Sequence, residues 1–314
     1  MTDIESYRNR LRKNAKHWGK WARRQGISCY RLYDRDIPEF ALAVDRYEDQ
    51  IHLQEYERRS QSSDAEQQAW WEAVIDATAE VLELPRDSIH GKTRRRQQGE
   101  SQYEATGESG REYIVEEQGR RFRVNLDAYV DTGLFLDHRN TRHMVAERAQ
   151  GKRFLNLFAY TGSFTVYAAT AGARDSVTVD MSNTYQDWSR RNFKLNGLDL
   201  QRHQLVRADV FMWIREALEQ GEEFDLIVLD PPTFSQSKKM HGVLDIQRDH
   251  PWLIHQCMKL LTPQGVLFFS TNFRKFKLEP SLHDWYVLEE ISSQTVPEDF
   301  RDKKIHRCWH VVHK

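Results

Sequence analysis

A regular alternation of apolar runs and helical patterns, beginning near residue 137, limits most strongly how this chain can fold. Five apolar runs are typical of buried parallel strands, at residues 153–158, 176–180, 203–206, 225–230 and 265–270. Helical patterns separate them, at residues 163–171, 184–195, 210–219 and 243–261. Repeated strand–helix units predict a doubly wound, mostly parallel α/β sheet with helices on both faces. Two later strand-like segments, 285–292 and 306–313, predict an antiparallel closing strand.

The first 136 residues have a different pattern, which predicts a smaller α+β region. A basic amphipathic helix is expected at 3–25, and a second helix, capped by Ser63 or Asp64, at about 64–83. Hairpins are expected from the paired runs 40–44 with 51–56 and 112–116 with 121–124, and a polar loop at about 91–110. We therefore divide the chain into a basic N-terminal accessory region, 1–136, and a doubly wound domain, 137–314.

Composition narrows the class of protein further. The 314 residues are 39% hydrophobic and include 15 Phe, which excludes a disordered chain. Neither a run of about 18 apolar residues nor a signal-peptide pattern is present, so we expect a cytoplasmic protein without a membrane span. Cys29, Cys257 and Cys308 are too far apart for a disulfide framework or a zinc motif, and the histidines show no ligand spacing. No metal is predicted.

Basic residues are concentrated near the N-terminus, although the net charge is only -1. Residues 1–31 contain nine Lys or Arg and two acids, with Tyr7, Trp18 and Trp21 among them. Cations beside aromatic rings suit phosphate contact and base stacking, so they favour nucleic-acid binding over a merely solvated surface. The residues predicted to bind nucleic acid are Lys13, Lys16, Lys20, Arg23, Arg24, Arg94, Arg95, Arg96, Lys238 and Lys239.

Acidic residues follow three consecutive predicted strands, at the edge where doubly wound sheets bind ligands. Asp180 ends the second strand and suits ribose hydroxyls, and Asp209 after the third suits an adenine amino group. The fourth strand ends in Asp230, followed by two prolines and by Phe234, whose ring can stack on a base. Gly162 after the first strand permits a tight turn, but the three glycines of a dinucleotide fingerprint are absent. Each acid alone could be a helix cap, whereas three together favour a binding site.

This constellation resembles the class I S-adenosylmethionine-dependent methyltransferases, which have a glycine loop, a ribose acid, an adenine acid and an Asp-Pro-Pro loop in this order. More narrowly, the chain resembles the guanine-N(7) methyltransferase half of the bifunctional bacterial 23S rRNA methyltransferases. The matching motifs are DTGLFLDHR at 131–139, LNLFAYTGS at 155–163, TVDMS at 178–182, RNFKLNG at 191–197 and DPPTFS at 230–235. Similarity extends from CYRLYD at 29–34 to IHRCW at 305–309, hence over nearly the whole chain.

The resemblance implies the cofactor, the partners and the roles of individual residues. S-adenosylmethionine is expected to contact Arg139, Asn156, Phe158, Ala159, Tyr160, Thr161, Gly162, Ser163, Asp180, Met181, Ser182, Asp209 and Asp230. The catalytic loop is expected to contain Asp230, Pro231, Pro232 and Phe234. The expected substrate is 23S rRNA or a partly unfolded precursor. The guanine-N(2) methyltransferase half of the bifunctional enzymes has no counterpart in this chain, and it is a candidate partner.

The residues of the predicted site bear on which atom is methylated. Related cytosine carbon-5 enzymes need a thiolate just beyond the fifth strand, where this chain has FSTNF at 269–273. Amino-group methyltransferases usually place an aromatic residue directly after the two prolines, but here Thr233 intervenes before Phe234. Guanine nitrogen 7 has a free lone pair and needs no base, and Asp230 could stabilise the positive charge of its product. Cytosine carbon 5, guanine N(2) and a non-catalytic RNA-binding or assembly factor remain the alternatives.

Overall fold

The structure, a computed structural model, describes residues 4–56, 63–93, 110–129, 131–235 and 243–314. The chain divides into two compact units. Unit 1 is Met1–Gly119, Val124–Thr132 and Glu298–Arg301. Unit 2 is Arg120–Arg123, Gly133–Pro297 and Asp302–Lys314.

Unit 1 contains a four-stranded sheet in the order β1-β2-β3-β4. Its strands are β1 (Cys29–Asp34), β2 (Leu42–Tyr47), β3 (Gln50–Glu55) and β4 (Ile89–Thr93). Neighbouring strands are antiparallel except that β4 runs parallel to β3. A separate two-stranded sheet contains β5 (Glu112–Glu117) and β6 (Arg120–Asn125).

Two long helices supply much of the apolar core of unit 1. They are α1 (Ile4–Gln25) and α2 (Asp64–Leu82). Tyr7 of α1 and Val74 of α2 are fully buried in one apolar cluster with residues of β1–β3. The predicted cap of α2 is confirmed at Ser63, whose side chain accepts a hydrogen bond from the backbone N–H of Glu66. Within the described residues, no helix is long and apolar enough to cross a membrane.

The strands of unit 1 agree only in part with the expectation. The hairpin predicted from 40–44 and 51–56 is confirmed as β2 and β3, although its turn is shorter than predicted. Neither β1 nor β4 was expected as a strand. The predicted loop is wrong at 91–93, which belong to β4, because parallel pairing with β3 supplies hydrogen bonds that glycine and polar residues do not indicate. All six residues of β1 are buried, so its polar residues hide the usual alternation.

Unit 2 contains a seven-stranded sheet in the order β14-β15-β13-β10-β7-β8-β9. Its strands are β7 (Arg153–Leu157), β8 (Asp175–Asp180), β9 (His203–Arg207), β10 (Phe224–Leu229), β13 (Leu261–Thr271), β14 (Tyr286–Glu290) and β15 (Arg307–His313). The pairs from β13 to β9 are parallel, and β15 runs antiparallel between β13 and β14. The predicted doubly wound, mostly parallel sheet with an antiparallel strand near its end is confirmed. A further two-stranded sheet pairs β11 (Phe234–Ser235) with β12 (Leu244–Asp245).

The helices of unit 2 include the four that were expected and one long helix that was not. They are α3 (Arg139–Arg148), α4 (Ser163–Thr170), α5 (Asn183–Leu195), α6 (Val210–Glu219), α7 (Ile246–Lys259) and the short α8 (Ser292–Thr295). A turn of 3₁₀ helix, Leu136–His138, leads into α3. Helix α3 was not predicted because its sequence, RNTRHMVAER, is mostly polar and gives a weak apolar period.

Candidate cofactor and methyl-transfer site

Parallel pairing determines which residues lie side by side at the carboxyl edge of the seven-stranded sheet. Leu157 pairs with Leu229 on one side and with Val179 on the other, and Leu229 also pairs with Phe269. The next residue along each strand therefore falls in one row, which contains Ser270, Asp230, Phe158 and Asp180. Three of these four residues were predicted site residues, and the row lies at the edge where such sheets bind ligands.

The loop after β7 has an unusual backbone. Phe158, Tyr160 and Gly162 have φ angles of 55°, 51° and 71°, in the left-handed region that residues other than glycine rarely adopt. A Cβ atom on Gly162 would lie 2.8 Å from Cε1 of Phe193 and 3.0 Å from Oγ of Ser189, both on α5. Glycine is therefore required at 162 both for its backbone conformation and for the close packing against α5.

Asp180 connects this loop to the start of α5. Its Oδ2 accepts a hydrogen bond from the backbone N–H of Tyr160 at 2.9 Å, and its Oδ1 accepts one from Ser182 at 2.8 Å. Burial raises the pKa of Asp180 to about 6, although the backbone donors act in the opposite direction. A carboxylate offers about four lone-pair directions, so two accepted bonds leave capacity for ligand hydroxyls. A half-buried acid with a raised pKa at the ligand-binding edge is typical of a functional site.

Asp209 is the N-cap of α6. Its Oδ1 accepts a hydrogen bond from the backbone N–H of Phe211 at 2.8 Å. The capping interpretation of this acid is therefore correct, but it uses only one oxygen of the carboxylate. The parallel pair Asp180–Arg207 places Asp209 just beyond the same edge of the sheet.

Asp230 is positioned by side chains from two other segments. Its Oδ1 accepts a hydrogen bond from the hydroxyl of Ser270 at 2.6 Å, and Nε2 of His138 lies 3.7 Å from its Oδ2. Pro231 is buried and Pro232 is half-buried, whereas the ring of Phe234 is 47% exposed. The loop therefore combines a restrained carboxylate with an aromatic ring that is open to solvent.

Three predicted cofactor residues have polar side chains that are buried. Asn156 is 1% exposed and donates to Oγ1 of Thr165 at 3.1 Å, so it connects β7 to α4. The hydroxyl of Thr161 donates to the carbonyl of Gly133 at 2.7 Å. Arg139, also 1% exposed, begins α3, and such burial does not suit contact with an RNA phosphate. Asn156 and Thr161 thus support this part of the fold from within.

The other predicted cofactor residues lie along the same edge. Ser163 begins α4, Met181 follows β8, and Ser182 caps α5 by accepting a hydrogen bond from the backbone N–H of Tyr185. Ala159 is buried within the loop after β7. The structure thus brings the predicted glycine-loop and strand-end residues to one side of the sheet.

The sequence did not indicate a second group of residues beside Asp230. Asp137, His138 and His306 have potential metal-ligand atoms within 4.8 Å of one another, although no metal site was predicted. However, the two imidazole rings stack with centroids 4.1 Å apart and planes 9° apart. The nitrogen lone pairs of stacked rings lie in separate parallel planes, so a single ion cannot lie in the plane of both rings. This geometry suits hydrogen bonding better than a shared metal.

Phe135 was also missed as a site residue. Its ring is 41% exposed and lies 5.0 Å from the ring of Tyr160 in the glycine loop. The sequence did not indicate this role, because Leu134, Phe135 and Leu136 are three consecutive apolar residues, and only the structure shows that the two leucines are buried and the ring is exposed.

All five predicted RNA-binding residues that the structure describes lie on one face of α1. Lys13, Lys16, Lys20, Arg23 and Arg24 are exposed. Tyr7, Leu11 and Ala22 are buried on the other side of the helix. The remaining predicted RNA-binding residues lie outside the described residues: Arg94, Arg95, Arg96, Lys238 and Lys239.

The three cysteines are all buried. Burial strongly raises the pKa of the Cys257 and Cys308 thiols. A thiol of this kind is a poor nucleophile, since the reactive form is the thiolate.

Comparison with known proteins agrees with the doubly wound fold described above. A family model described as S-adenosylmethionine-dependent methyltransferase matches residues 71–304. The chain therefore belongs to the S-adenosylmethionine-dependent methyltransferases. It is an enzyme of this class, with S-adenosylmethionine as its methyl donor.

Two curated relatives are similar over almost all of the chain. The chain is 57% identical to the ribosomal RNA large subunit methyltransferase K of Neisseria meningitidis serogroup B, over 100% of this chain and 89% of that protein. It is 48% identical to the ribosomal RNA large subunit methyltransferase K/L of Methylococcus capsulatus, over 98% of this chain. The chain spans only 42% of the length of that second relative.

Solved structures resemble the whole fold. A methyltransferase complexed with SAH has a TM-score of 0.77 at 24% identity, with 99% of this chain and 82% of that chain covered. A methyltransferase from Streptococcus mutans gives a TM-score of 0.77 at 23% identity, with the same coverage. At this level of identity the two structures support the fold alone.

The described residues fit S-adenosylmethionine chemically. Asp180 and Asp209 offer carboxylate oxygens for hydroxyl and amino groups, and the glycine loop brings main chain close to the same edge. Asp230 offers negative charge for a cationic sulfonium. The cofactor supplies an activated methyl group, and the residues of this chain bind and orient it.

Proposed function

We propose that the chain transfers the methyl group of S-adenosylmethionine to nitrogen 7 of a guanine in 23S ribosomal RNA, in the cytoplasm. The observation that carries this proposal is the 57% identity to a ribosomal RNA large subunit methyltransferase K, over 89% of that protein. Similarity that covers both proteins so fully supports a shared substrate as well as a shared fold.

Each part of the cofactor is assigned to a different feature of the edge. We assign the ribose hydroxyls to Asp180 and the adenine amino group to the second oxygen of Asp209, because both acids follow neighbouring strands. The methionine part is assigned to the main chain of the loop 158–163. Phe158, Met181 and Ser182 complete the adenosine side.

The chemistry at nitrogen 7 requires no proton transfer. The nitrogen lone pair forms the new bond to the methyl carbon, and the electrons of the breaking carbon–sulfur bond return to sulfur. The positive charge therefore moves from sulfur to the guanine ring. Asp230 beside the reacting atoms would stabilise this charge both on sulfur before the transfer and on the guanine ring after it. Catalysis then depends on positioning and electrostatics.

The alternative targets fit the described residues less well. Cytosine carbon-5 transfer needs a thiolate, but Cys257 and Cys308 are fully buried. Position 270, in the strand whose end bears the thiol in those enzymes, is a serine whose hydroxyl donates a hydrogen bond to Asp230. Guanine N(2) transfer favours an aromatic residue directly after the prolines. Here Thr233 stands in that place and donates to Oδ1 of Asn272 at 2.6 Å.

RNA contact is assigned to two surfaces with different tasks. The exposed cations of α1 suit backbone phosphates, which position RNA without reading its sequence. The exposed ring of Phe234 suits stacking on a target guanine that has left its helix. Unpaired RNA, as in a partly unfolded precursor, presents such a base most readily.

The decisive experiment uses transcripts of 23S rRNA that contain modified guanosine. The purified chain is incubated with labelled S-adenosylmethionine, and the methylated nucleoside is identified by mass spectrometry. Replacing guanosine by 7-deazaguanosine removes nitrogen 7 and is expected to abolish transfer, while replacement by inosine, which lacks the N(2) amino group, should permit it. The opposite pattern would establish guanine N(2) as the target.

Two controls separate loss of chemistry from loss of binding. RNA binding is measured by filter retention for each transcript, since 7-deazaguanosine keeps the Watson–Crick edge. The reaction is run with and without a guanine-N(2) methyltransferase partner. Transfer by the chain alone would show that the partner is not required.

A further inference from the structure

Three segments of unit 2 meet around the carboxylate of Asp230. The end of β13 contributes the Ser270 hydroxyl, 2.6 Å from Oδ1. The 3₁₀ turn before α3 contributes His138, whose Nε2 lies 3.7 Å from Oδ2 of Asp230, a contact longer than a hydrogen bond, and 3.9 Å from Oδ2 of Asp137. The segment before β15 contributes His306 behind that ring. Asp230 thus faces one hydrogen-bonding partner and one buried imidazole edge.

The imidazole of His138 is fixed on two further sides. Its Nδ1 lies 3.2 Å from the hydroxyl of Thr141, and its face stacks on His306 at 4.1 Å. His306 in turn is held by Asp137, 2.9 Å from its Nδ1, and by Thr295, 3.0 Å from its Nε2. Both imidazoles are almost completely buried, with exposures of 6% and 1%. Such a ring cannot turn away from Asp230 without disrupting these contacts.

The charge of the cofactor explains how a restrained carboxylate at this position could act, namely as a counterion. S-adenosylmethionine has a positively charged sulfur, whereas the product S-adenosylhomocysteine has a neutral one. Burial and the neighbouring His306 lower the pKa of His138, which favours its neutral form. A neutral imidazole orients Asp230 without cancelling its charge, so the carboxylate remains available as a counterion to the sulfonium.

We propose that His138 is a positioning residue that directs the carboxylate of Asp230 toward the sulfonium of S-adenosylmethionine. The Ser270 hydroxyl fixes one oxygen of the carboxylate, and the imidazole edge, supported by Thr141 and His306, restricts the other. This inference rests on the role of Asp230 proposed above. It does not depend on the identity of the RNA target.

The test compares the affinities of the charged and the neutral ligand by isothermal titration calorimetry in the absence of RNA. Contacts to adenosine and to the methionine carboxylate are common to both ligands, so the ratio of the two affinities reports on the methyl group and the positive charge at sulfur. Asp230→Asn is expected to lower the preference for S-adenosylmethionine by about tenfold. His138→Phe keeps a ring against His306 but removes both nitrogens, and should lower the ratio by roughly fivefold with unchanged S-adenosylhomocysteine affinity.

Further variants distinguish positioning from a structural role. His138→Gln restores an N–H group near the Nε2 position and should recover most of the ratio. His138→Phe in the Asp230→Asn background should have no additional effect, as expected for residues that act through one another. His250 is the matched control, because it is 1% exposed, lies on α7 and accepts the backbone N–H of Glu279 at 2.9 Å. His250→Phe should lower stability but leave the ratio unchanged.

The outcomes separate this inference from the proposal on which it rests. An unchanged ratio in Asp230→Asn would show that Asp230 does not act on the sulfonium, and would contradict both the proposed role of Asp230 and the positioning role of His138. A lowered ratio in Asp230→Asn with an unchanged ratio in His138→Phe would overturn the role of His138 alone. If His138→Phe does not fold, Thr141→Val, which removes the partner of Nδ1, provides the same comparison. An unchanged ratio there would contradict the positioning role.

Discussion

At the scale of single residues, the burial of Asp180 and the hydrogen bonds that it accepts have opposite effects on the charge of its carboxylate. Asp180 joins two loops through backbone hydrogen bonds, and it is the acid assigned to the ribose. Burial raises the pKa of Asp180 to about 6 and so disfavours its charged form, although the proposed contact with the ribose uses the charged form. Asp180 holds its proton more tightly in the folded state than in the unfolded state. Its contribution to stability is therefore present at low pH and is lost as pH rises through about 6.

Asp180→Asn is expected to weaken the binding of S-adenosylhomocysteine by about 10- to 100-fold, since a charged acceptor of ligand hydrogen bonds is lost. The wild-type affinity should fall as pH decreases below about 6, where the carboxylate takes up a proton. Calorimetry between pH 5 and 8 checks both effects, and the neutral ligand avoids any contribution from the sulfonium. Asp187→Asn, on the exposed side of α5, is the control. Equal pH profiles for Asp180→Asn and wild type would refute the assignment.

Phe234→Ala is expected to raise the KM for RNA by about 5- to 100-fold, because stacking on a base contributes about 1–3 kcal/mol. Affinity for S-adenosylmethionine should not change, and Phe234→Trp should restore the KM. Methyl-transfer kinetics and calorimetry measure the two effects. Trp285, 65% exposed at the amino end of β14, is the matched control on the opposite edge of the sheet. A loss in Trp285→Ala as large as that in Phe234→Ala would exclude a specific stacking role.

At the scale of elements, the turn before α3 depends on a glycine that touches α5. Gly133 has a φ of 98°, and a Cβ atom there would lie 2.2 Å from Cζ2 of Trp188. The carbonyl of the same residue accepts the hydroxyl of Thr161 in the glycine loop. Close packing at this one position therefore connects the segment that contains His138 to the loop assigned to the cofactor.

Gly133→Ala is expected to lower the free energy of unfolding of unit 2 by about 3 kcal/mol, through left-handed strain and overlap with the indole ring. Gly151→Ala is the control, because its φ is 72° but nothing lies within 4 Å of the added Cβ. This control should cost only about 1 kcal/mol. Urea unfolding measures both values, and equal losses would show that the contact with Trp188 is unimportant.

Helix α1 offers a test of the RNA-binding surface. The triple variant Lys16→Glu, Lys20→Glu, Arg23→Glu should weaken RNA binding and reduce the slope of log affinity against log salt by about 2, as expected for three lost phosphate contacts. Arg8→Gln on the same helix is the control, because Arg8 already pairs with Glu5 and Glu80 at 2.8 Å. Filter binding at several salt concentrations gives the slopes. An unchanged slope in the triple variant would place the RNA elsewhere.

At the scale of the whole molecule, acid stability is expected to depend on buried histidines. Burial lowers the pKa of His52, on β3, to about 3, and its Nε2 is buried without a hydrogen-bond partner among the described residues. The unfolded chain binds this proton below about pH 6.5, whereas the folded chain does not until about pH 3. Stability should therefore decrease as pH falls through this range, by about 1.4 kcal/mol per unit from this residue.

His52→Leu should remove this part of the pH dependence. Hydrogen exchange of the β3 amides between pH 6.5 and 4.5 reports the local free energy of opening, after correction for the intrinsic exchange rates. Protection in the variant should decrease less steeply than in wild type. Parallel curves would mean that other groups account for the acid sensitivity of unit 1.

The sequence predicted the parts of the fold that have a local signature. Apolar runs of the right length predicted the parallel strands, and acids directly after them predicted Asp180, Asp209 and Asp230. The group behind Asp230 had no such signature, because 169 positions separate Asp137 from His306 and each looks ordinary in its own segment. Helix α3 and strand β4 were missed for a related reason. Tertiary contacts and strand pairing stabilise them where their own residues give a weak pattern.

The position of β15 also determines the order in which this part of the chain can fold. β14 is earlier in the sequence, but it lies at the edge of the sheet and its neighbour there is β15, which in turn pairs with β13. During synthesis on the ribosome, β14 therefore emerges before the strand on which it will pair. The segment that contains His306 arrives with that same late strand. The surroundings of Asp230 are thus completed only after nearly all of these 314 residues have been translated.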